Sequence, residues 1–233
     1  ILEINDLPIP VQAEPYRICD DLESADDTDG IINTFILNKK DDEIFGTLNK
    51  TQYNISYHTT EDGAVNGDIN TIIDKNNYYT VTTSQTVFVR VENKDNTDCY
   101  DANTSLELIV DPLPILKTNS AIIKQCDDDS DLKTTFNLTE AEINISNNRT
   151  NESFEYYASQ VDAIAGAPQV ADKLRYPVSA NGEAWVRTIS EFGCFRISKI
   201  ELIFSYATDV NYSRNFIECD DFLDEDGNDT ADN

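Results

Sequence analysis

The sequence predicts an all-β protein built from tandem immunoglobulin-like β-sandwich repeats. Three observations predict this fold class. A Cys-Asp-Asp tripeptide occurs three times, beginning at Cys19, Cys126 and Cys219. Short segments that alternate apolar and polar residues, rich in β-branched and aromatic side chains, follow the first two copies. Turn-forming pairs such as Asn66-Gly67 and Asn181-Gly182 separate these segments.

The same motifs follow in the same order after each of the first two tripeptides. They are a Thr-Phe segment, an apolar-Val-Arg strand, a second cysteine and an apolar strand. In the first copy these are Thr34-Phe35-Ile36-Leu37-Asn38, Val87-Phe88-Val89-Arg90-Val91, Cys99 and Leu106-Glu107-Leu108-Ile109-Val110. In the second copy they are Thr135-Phe136-Asn137-Leu138-Thr139, Ala184-Trp185-Val186-Arg187-Thr188, Cys194 and Ile200-Glu201-Leu202-Ile203-Phe204. Leu7-Pro8 after the first residues matches Leu113-Pro114. The repeat therefore predicts the last strand of a preceding unit at 1–11, complete sandwiches at 12–114 and 115–208, and the start of a further unit at 209–233.

Each complete unit is expected to fold mainly as strands. Alternation predicts strands at Asn54–His58, Thr86–Val91 and Phe195–Phe204, and short helical turns are expected at Asp41–Phe45 and Thr139–Ile143. The predicted cores contain Phe35, Ile55, Tyr57, Phe88, Leu106 and Leu108 in the first unit, and Phe136, Phe154, Tyr156, Trp185, Leu202 and Phe204 in the second.

The charge of the chain excludes two classes of partner. Asp and Glu outnumber Lys and Arg by 44 to 17, which gives a formal charge of −27. Phosphate backbones and anionic lipid headgroups would repel such a chain, so we expect neither nucleic-acid binding nor direct membrane insertion. No apolar run reaches the roughly 20 residues that cross a bilayer. We expect an export signal upstream of Ile1.

These motifs together resemble the repeats of giant surface adhesins of gliding Bacteroidetes, of the SprB type, which the type IX secretion system exports. The resemblance rests on the Cys-Asp-Asp openings, Asp29-Gly30 and Asp226-Gly227, Phe35 and Phe136 in Phe-x-Leu, the apolar-Val-Arg strand and the second cysteine. The second unit departs from the pattern, with Asp131-Leu132 in place of Asp-Gly. The resemblance implies an extracellular fibre at the outer-membrane surface, with the secretion machinery and a surface polysaccharide or other cell-surface component as partners.

The five cysteines fit an oxidising compartment. We expect bridges within each unit, Cys19 with Cys99 and Cys126 with Cys194. A second scheme joins Cys99 with Cys126 and Cys194 with Cys219, and a third leaves the thiols reduced in a core.

The acidic loops predict calcium sites. Carboxylates crowd three loops, at Asp20, Asp21, Asp27 and Asp29, at Asp127, Asp128, Asp129 and Asp131, and at Asp220, Asp221, Asp224 and Asp226. Two carboxylates about 4 Å apart repel by roughly 4 kcal/mol at an effective dielectric constant near 20, and a shared hard cation with oxygen ligands removes this repulsion. The alternative is a solvated acidic turn.

The residues favour a structural and adhesive function over catalysis. The single histidine, His58, lies on a predicted strand, where an exposed or edge position is the usual outcome, and no nucleophile, phosphate-loop or zinc motif is present. The expected function is a calcium-stiffened, disulfide-bonded repeat segment of a surface filament, with neighbouring repeats as partners. The alternatives are a glycan- or protein-binding module that uses Tyr78, Tyr79, Tyr156 or Tyr157, and a cell-wall hydrolase domain.

Overall fold

Two units of the same architecture follow each other along the chain. The computed structural model describes residues 5–20, 34–80, 82–127 and 133–205. The first unit has strands β1 (Tyr16–Cys19), β2 (Tyr53–His58), β3 (Ser84–Asn93) and β4 (Tyr100–Asp111). The second has β5 (Ser120–Cys126), β6 (Thr134–Phe136), β7 (Ser153–Tyr157), β8 (Tyr176–Val178), β9 (Gly182–Ile189) and β10 (Phe195–Ser205). The all-β tandem sandwich prediction is confirmed.

One four-stranded sheet dominates each unit. The strand order is β1-β4-β3-β2 in the first unit and β5-β10-β9-β7 in the second. The first strand of each unit runs parallel to the last, β1 beside β4 and β5 beside β10, while the other pairs of these sheets are antiparallel. The predicted strands at 54–58, 86–91 and 195–204 lie within β2, β3 and β10.

The opposing layer of each sandwich is short. In the second unit it contains the two-stranded sheet β6-β8, and in the first unit the described residues show a bridge between Phe35 and Tyr78 at this place. A 3-10 turn followed by a short helix completes this layer, with α1 (Asp41–Phe45) in the first unit and α3 (Glu142–Ile145) in the second. Both predicted helical turns are therefore present.

The described residues contain two further helices that the sequence did not predict, the first of them at the turn predicted around Asn66-Gly67. Helix α2 (Glu61–Asn66) and helix α4 (Gln160–Ala165) each follow the strand that contains the buried tyrosines. The side chains of Thr60 and Ser159 accept hydrogen bonds from backbone N–H groups of the first turn, and Gly67 and Gly166 end the helices with left-handed backbone conformations. An N-cap hydroxyl and a C-terminal glycine at this spacing favour a helix of six residues over an open turn.

The core of each unit lies between its large sheet and its short layer. Phe35, Tyr57, Leu106 and Leu108 fill the first core as predicted, and Phe136, Tyr156, Leu202 and Phe204 fill the second. Ile55 and Phe154 pack against the cores as partly buried residues.

The predicted placement of Phe88 and Trp185 in the cores is wrong. The side chains of Val87 and Val89 are buried in β3, and those of Ala184 and Val186 in β9, which places the intervening aromatic residue on the opposite face. Because successive side chains of a strand point to opposite faces, only one set can be inward. Small and β-branched residues line the inner face because the large side chains of the short layer already fill the space. Among the helices of the described residues, none is long and apolar enough to cross a membrane.

Candidate functional site at the junction of the two units

A disulfide bond joins the two units. Cys19, at the end of β1, is bonded to Cys194, in the turn between β9 and β10, with a Cα–Cα distance of 5.5 Å and a sequence separation of 175 residues. The bridge therefore connects the first cysteine of one unit to the second cysteine of the next unit.

The predicted bridges within units, Cys19 with Cys99 and Cys126 with Cys194, are wrong. Cys19 lies beside Asp111 at the end of β4, whereas Cys99 precedes the start of that strand. Twelve positions (111 − 99) of extended chain correspond to about 40 Å, so the two cysteines lie at opposite ends of the sheet. The same argument separates Cys126, which is in register with Ser205, from Cys194.

The alternative pairing of Cys99 with Cys126 is also wrong, because both cysteines are unbridged. Cys219, the partner of Cys194 in that scheme, lies outside the described residues, and Cys194 is bonded to Cys19 instead. Sequence reasoning compared pairings within a unit and across one linker. It missed the parallel pairing of first and last strands, which carries the first cysteine of a unit to the end nearest the following unit.

Asp111 organises the junction. Its carboxylate accepts two hydrogen bonds from the guanidinium of Arg17, one of them 2.9 Å between Nε and Oδ2. Its backbone carbonyl accepts a hydrogen bond from the N–H of Asp20 at 2.8 Å and lies 3.7 Å from Sγ of Cys194. The Arg17 guanidinium also stacks on the ring of Phe192 in the second unit, 4.3 Å from its centroid. One buried aspartate and one arginine thus hold the strand end, the bridge and the neighbouring turn together.

The linker is docked on the second unit. The N–H of Lys117 donates to the carbonyl of Ile145 at the end of α3, and its Nζ donates to the carbonyl of Ile143. In the first unit, the N–H of Val11 donates to the carbonyl of Ile44 in α1. Both units therefore hold the segment before their first strand through a helical carbonyl. Such docking limits the freedom of the chain between units.

Of the twelve predicted metal ligands, the structure describes Asp20 and Asp127. Both residues are buried, and the Asp127 N–H donates to the carbonyl of Ser205 as that of Asp20 does to Asp111. The other ten lie outside the described residues: Asp21, Asp27, Asp29, Asp128, Asp129, Asp131, Asp220, Asp221, Asp224 and Asp226. Within the described ranges, no group of three or more His, Cys, Asp and Glu side chains is placed to hold a metal ion.

The aromatic residues of the ligand-binding alternative lie in different environments. Tyr156 and Tyr157 are buried, Tyr78 packs against the first core, and Tyr79 is exposed. Burial and the adjacent Glu155 carboxylate raise the pKa of Tyr157 to about 12. Burial also raises the pKa of Tyr156, whose hydroxyl donates to Glu142 at 2.5 Å. Three of the four rings are therefore structural.

His58 lies on β2, an edge strand of the large sheet, as one of the two expected positions, but its side chain is buried and not exposed. Its Nδ1 lies 2.8 Å from Oγ1 of Thr71 and its Nε2 3.0 Å from Oγ of Ser56. Burial, followed by the positive charge of Arg90, lowers its pKa below the usual value. The side chain is therefore a neutral link between β2 and the turn after α2.

The arginine of the apolar-Val-Arg strand has a structural role that sequence reasoning did not assign. Arg90 donates from Nη1 to the carbonyls of Ala64 and Val65 at 3.1 and 3.0 Å, and its guanidinium lies 3.6 Å from the ring centroid of Tyr100. Arg187 donates to the equivalent carbonyls of Ala163 and Ile164. It stacks on Phe195 at 3.8 Å.

Each arginine therefore binds the carboxyl end of a short helix and an aromatic ring that directly follows the second cysteine. The recurrence of Cys-Tyr at Cys99 and Cys-Phe at Cys194 is the sequence signal that could have indicated this arrangement.

A family model with the description "Flavobacterium inter-domain disulphide bond domain" matches residues 15–114 and 122–208. The chain belongs to this family. The two matches fall inside the predicted units 12–114 and 115–208, and the Cys19–Cys194 bond is an inter-domain disulfide as the family description states. Flavobacterium inter-domain disulphide bond domains also agree with the resemblance to Bacteroidetes surface proteins at the level of the bacterial group.

Solved structures with a similar arrangement include cadherins. The human desmocollin-1 ectodomain is 10% identical over 66% of this chain and 34% of that chain, with a TM-score of 0.24. Domains EC1-2 of human mucin-like protocadherin are 9% identical over 67% of this chain and 85% of that chain, with a TM-score of 0.26. The chain thus spans about a third of the desmocollin structure. No curated protein matches the sequence. Likenesses of this strength indicate nothing about the function of Flavobacterium inter-domain disulphide bond domains.

Proposed function

We propose that this chain is a structural repeat segment of a secreted cell-surface filament, in which a disulfide holds consecutive units in a fixed line. The Cys19–Cys194 bond across the junction is the observation that carries the proposal. A bond inside one unit would stabilise that unit, whereas a bond between units restrains their relative orientation. Arg17, Asp111 and Phe192 act on the same junction through noncovalent contacts.

An extracellular location supports this function. Disulfides persist in oxidising compartments, and an acidic chain of charge −27 stays soluble and resists association with other polyanions. The family of inter-domain disulfide domains points in the same direction.

In finer detail, we propose a gliding-motility adhesin of the SprB type, exported by type IX secretion machinery. Neighbouring repeats, together with a surface polysaccharide or another cell-surface component, would be its partners. The support for this detail is the resemblance of the repeat motifs. The proposed role is not catalytic, and the burial of His58 between Ser56 and Thr71 supports this part of the proposal. A glycan- or protein-binding module is the weaker alternative, because its aromatic candidates Tyr156 and Tyr157 are buried.

Removal of the bridge tests the proposal. We expect the Cys19→Ser/Cys194→Ser double variant to keep the far-ultraviolet circular dichroism of the wild-type chain, since each unit retains its own core. Small-angle X-ray scattering should show a larger radius of gyration and a broader distance distribution, because the junction then flexes. The Cys99→Ser/Cys126→Ser variant is the matched control, since it keeps the bridge. Identical scattering from both variants would refute a role of the bridge in alignment.

We also propose that calcium binds the acidic loops and stiffens the junctions. At ten times its dissociation constant, calcium would add about 1.4 kcal/mol per site to the free energy of unfolding. The melting temperature should therefore fall in EDTA and recover with calcium but less with magnesium at equal ionic strength. A melting temperature that EDTA leaves unchanged would count against calcium.

A further inference from the structure

Cys126 takes no part in the Cys19–Cys194 bridge, although its place in the second unit is equivalent to that of Cys19 in the first. Cys126 ends β5 in register with Ser205, as Cys19 ends β1 in register with Asp111. The residue after each cysteine is a buried aspartate whose N–H donates to the end of the last strand, at 2.8 Å from Asp20 and 2.9 Å from Asp127. Both cysteines are exposed at the carboxyl end of their unit. Cys126 therefore presents to a following unit the same geometry that Cys19 presents to Cys194.

Cys99 occupies the position of Cys194. The carbonyl of each cysteine closes the hairpin before the last strand, accepting from Asn93 at 2.9 Å and from Ser190 at 2.8 Å. Sγ of Cys99 lies 3.8 Å from the carbonyl oxygen of Asn5, and Sγ of Cys194 lies 3.7 Å from that of Asp111.

Asn5 corresponds to Asp111, because each stands two residues before a Leu-Pro pair. In the junction between the two units, Cys19 lies beside the backbone carbonyl of Asp111. The Cys99 thiol therefore faces the place where the first cysteine of a preceding unit would lie.

We propose that Cys126 forms a disulfide with the second cysteine of a following unit and Cys99 with the first cysteine of a preceding unit. The terminal strands of the array would then form two continuous covalent lines. This inference rests on the array described in the proposed function. Each bond forms from two thiols, which release two protons and pass two electrons to an oxidised disulfide such as oxidised glutathione, whose S–S bond is reduced to two thiols.

The two lines run side by side through both units. The first line consists of β1, the Cys19–Cys194 bridge and β10. The second consists of β4, the linker and β5. Strands β1 and β4 are paired in parallel, and so are β5 and β10, so the lines have the same direction and are hydrogen-bonded to each other in each unit.

The rest of each unit is attached to these lines from the side. Residues 20–98 of the first unit and 127–193 of the second lie between the covalent connections and not along them. Tension along the array would therefore pass through terminal strands and bridges, and the remaining strands would stay folded under it.

A fusion of two copies tests the pairing. Asp220 of the first copy is joined to Asp21 of the second, because Cys219-Asp220-Asp221 repeats Cys19-Asp20-Asp21. Serine replaces Cys99 of the first copy and both Cys126 and Cys219 of the second. The fusion then contains one Cys126, in the first copy, and one Cys99, in the second. After oxidation with a glutathione buffer, peptide mapping without reduction should recover Cys126 linked to Cys99.

A control fusion that also carries Cys126→Ser in its first copy should release Cys99 to alkylating reagents and keep the other bridges. Recovery of Cys126 as a thiol, or linked to Cys194 or Cys219, would overturn the pairing. Such a failure would leave the scattering experiment above unaffected, because that experiment depends on Cys19 and Cys194 alone.

Mechanical stretching of the intact chain tests whether tension bypasses the folded units. With both ends held, the oxidised chain should show no extension from unfolding of either unit, and a reductant should release about 60 nm, the extended length of the 175-residue separation. The Cys19→Ser/Cys194→Ser variant should extend by this length without reductant. Extension of the oxidised wild-type chain by the length of a whole unit would overturn the proposed path of tension.

Discussion

At the scale of single residues, the repeated arginine accounts for more of the fold than the acidic motifs that dominate the sequence. Arg90 is 7% exposed and pairs with Glu92 at 2.8 Å while it binds carbonyls at the end of α2. A guanidinium suits this position because its planar group donates to several carbonyls and stacks on an aromatic ring at the same time. The Val-Arg motif is therefore a link between a strand and a helix.

Replacement of this arginine should destabilise one unit. We expect Arg90→Ala to lower the free energy of unfolding of the first unit by about 2–3 kcal/mol, because carbonyl groups and Glu92 lose their partner. Circular dichroism during a urea titration reports both units, whereas fluorescence of Trp185, the single tryptophan, reports the second.

The dichroism midpoint should fall and the fluorescence midpoint should stay. Arg149→Ala, at an exposed position, is the control, with an expected change within about 0.5 kcal/mol. Equal effects of the two substitutions would contradict the role of Arg90.

The raised pKa of Tyr157 predicts that the protein loses stability at alkaline pH. Its pKa is raised to about 12, first by burial and then by Glu155, whereas an unfolded tyrosine titrates near roughly 10. Between these values the folded state binds more protons than the unfolded state, so the free energy of unfolding falls as the pH rises.

Urea midpoints measured from about pH 9 to about pH 12, in a Cys99→Ser/Cys126→Ser background without free thiols among the described residues, should show this decline. The decline should be smaller in Tyr157→Phe. An equal decline in both proteins would show that titratable groups other than Tyr157 cause the loss of stability.

Single residues also show where periodicity misleads. Phe88 and Trp185 are the largest apolar side chains of their strands, and both were predicted to lie in the cores. The small neighbours Val87, Val89 and Ala184 point inward instead, because the opposing layer already contributes Phe35 in the first unit and Phe136 in the second. Alternation predicts that one face is buried, and the packing of the facing layer decides which face that is.

At the scale of elements, the strands were predictable and the short helices were only partly so. The longer strands β2, β3, β4 and β10 alternate over five or more residues, which a sequence displays directly, whereas β1, β6 and β8 contain only three or four residues. Helices α2 and α4 contain six residues each, too few for a helical stripe. Their caps are the remaining signal, a hydroxyl at Thr60 or Ser159 and a glycine seven residues later.

The glycines that end these helices permit a matched test. Gly67 and Gly166 both have positive φ angles, 62° and 80°. A methyl group on Gly166 would lie 2.8 Å from Nη1 of Arg187, whereas one on Gly67 would meet Arg90 at 3.6 Å, an ordinary contact.

We expect Gly67→Ala to cost about 1–2 kcal/mol from the left-handed backbone alone, and Gly166→Ala to cost more because Arg187 must move away from its carbonyls. Urea unfolding of each variant measures the difference. Equal losses would show that the Arg187 guanidinium adjusts without cost.

At the scale of the whole molecule, the repeat was visible in the sequence and the connection between repeats was not. Copies of Cys-Asp-Asp define the period, but pairing of the cysteines depends on which strands are neighbours. Parallel pairing of β1 with β4 brings together residues that are far apart in the chain, and the local pattern of a strand contains no information on its partner. The acidic loops are predicted from composition alone, and ten of their twelve aspartates lie outside the described residues.

Charge at this scale predicts a dependence on salt. A net charge of −27 destabilises the compact state by self-repulsion, which dissolved ions screen. From about 10 mM to about 150 mM sodium chloride the Debye length falls from roughly 30 Å to roughly 8 Å, and the melting temperature should rise. Scanning calorimetry measures the melting temperature at each sodium chloride concentration. The melting temperature in calcium chloride at the same ionic strength is measured for comparison. A melting temperature independent of sodium chloride would indicate that the acidic side chains are too dispersed to repel one another.

The separation of Cys19 from its partner also constrains the order of biosynthesis. A chain that emerges from its amino terminus exposes Cys99 and Cys126 before Cys194 is available. Oxidation by order of appearance would join Cys19 to Cys99, and folding of the first unit prevents this by placing them about 40 Å apart. Each newly made unit must therefore fold before its cysteines are oxidised, and an oxidant that acts earlier would trap a mispaired chain that only thiol exchange could repair.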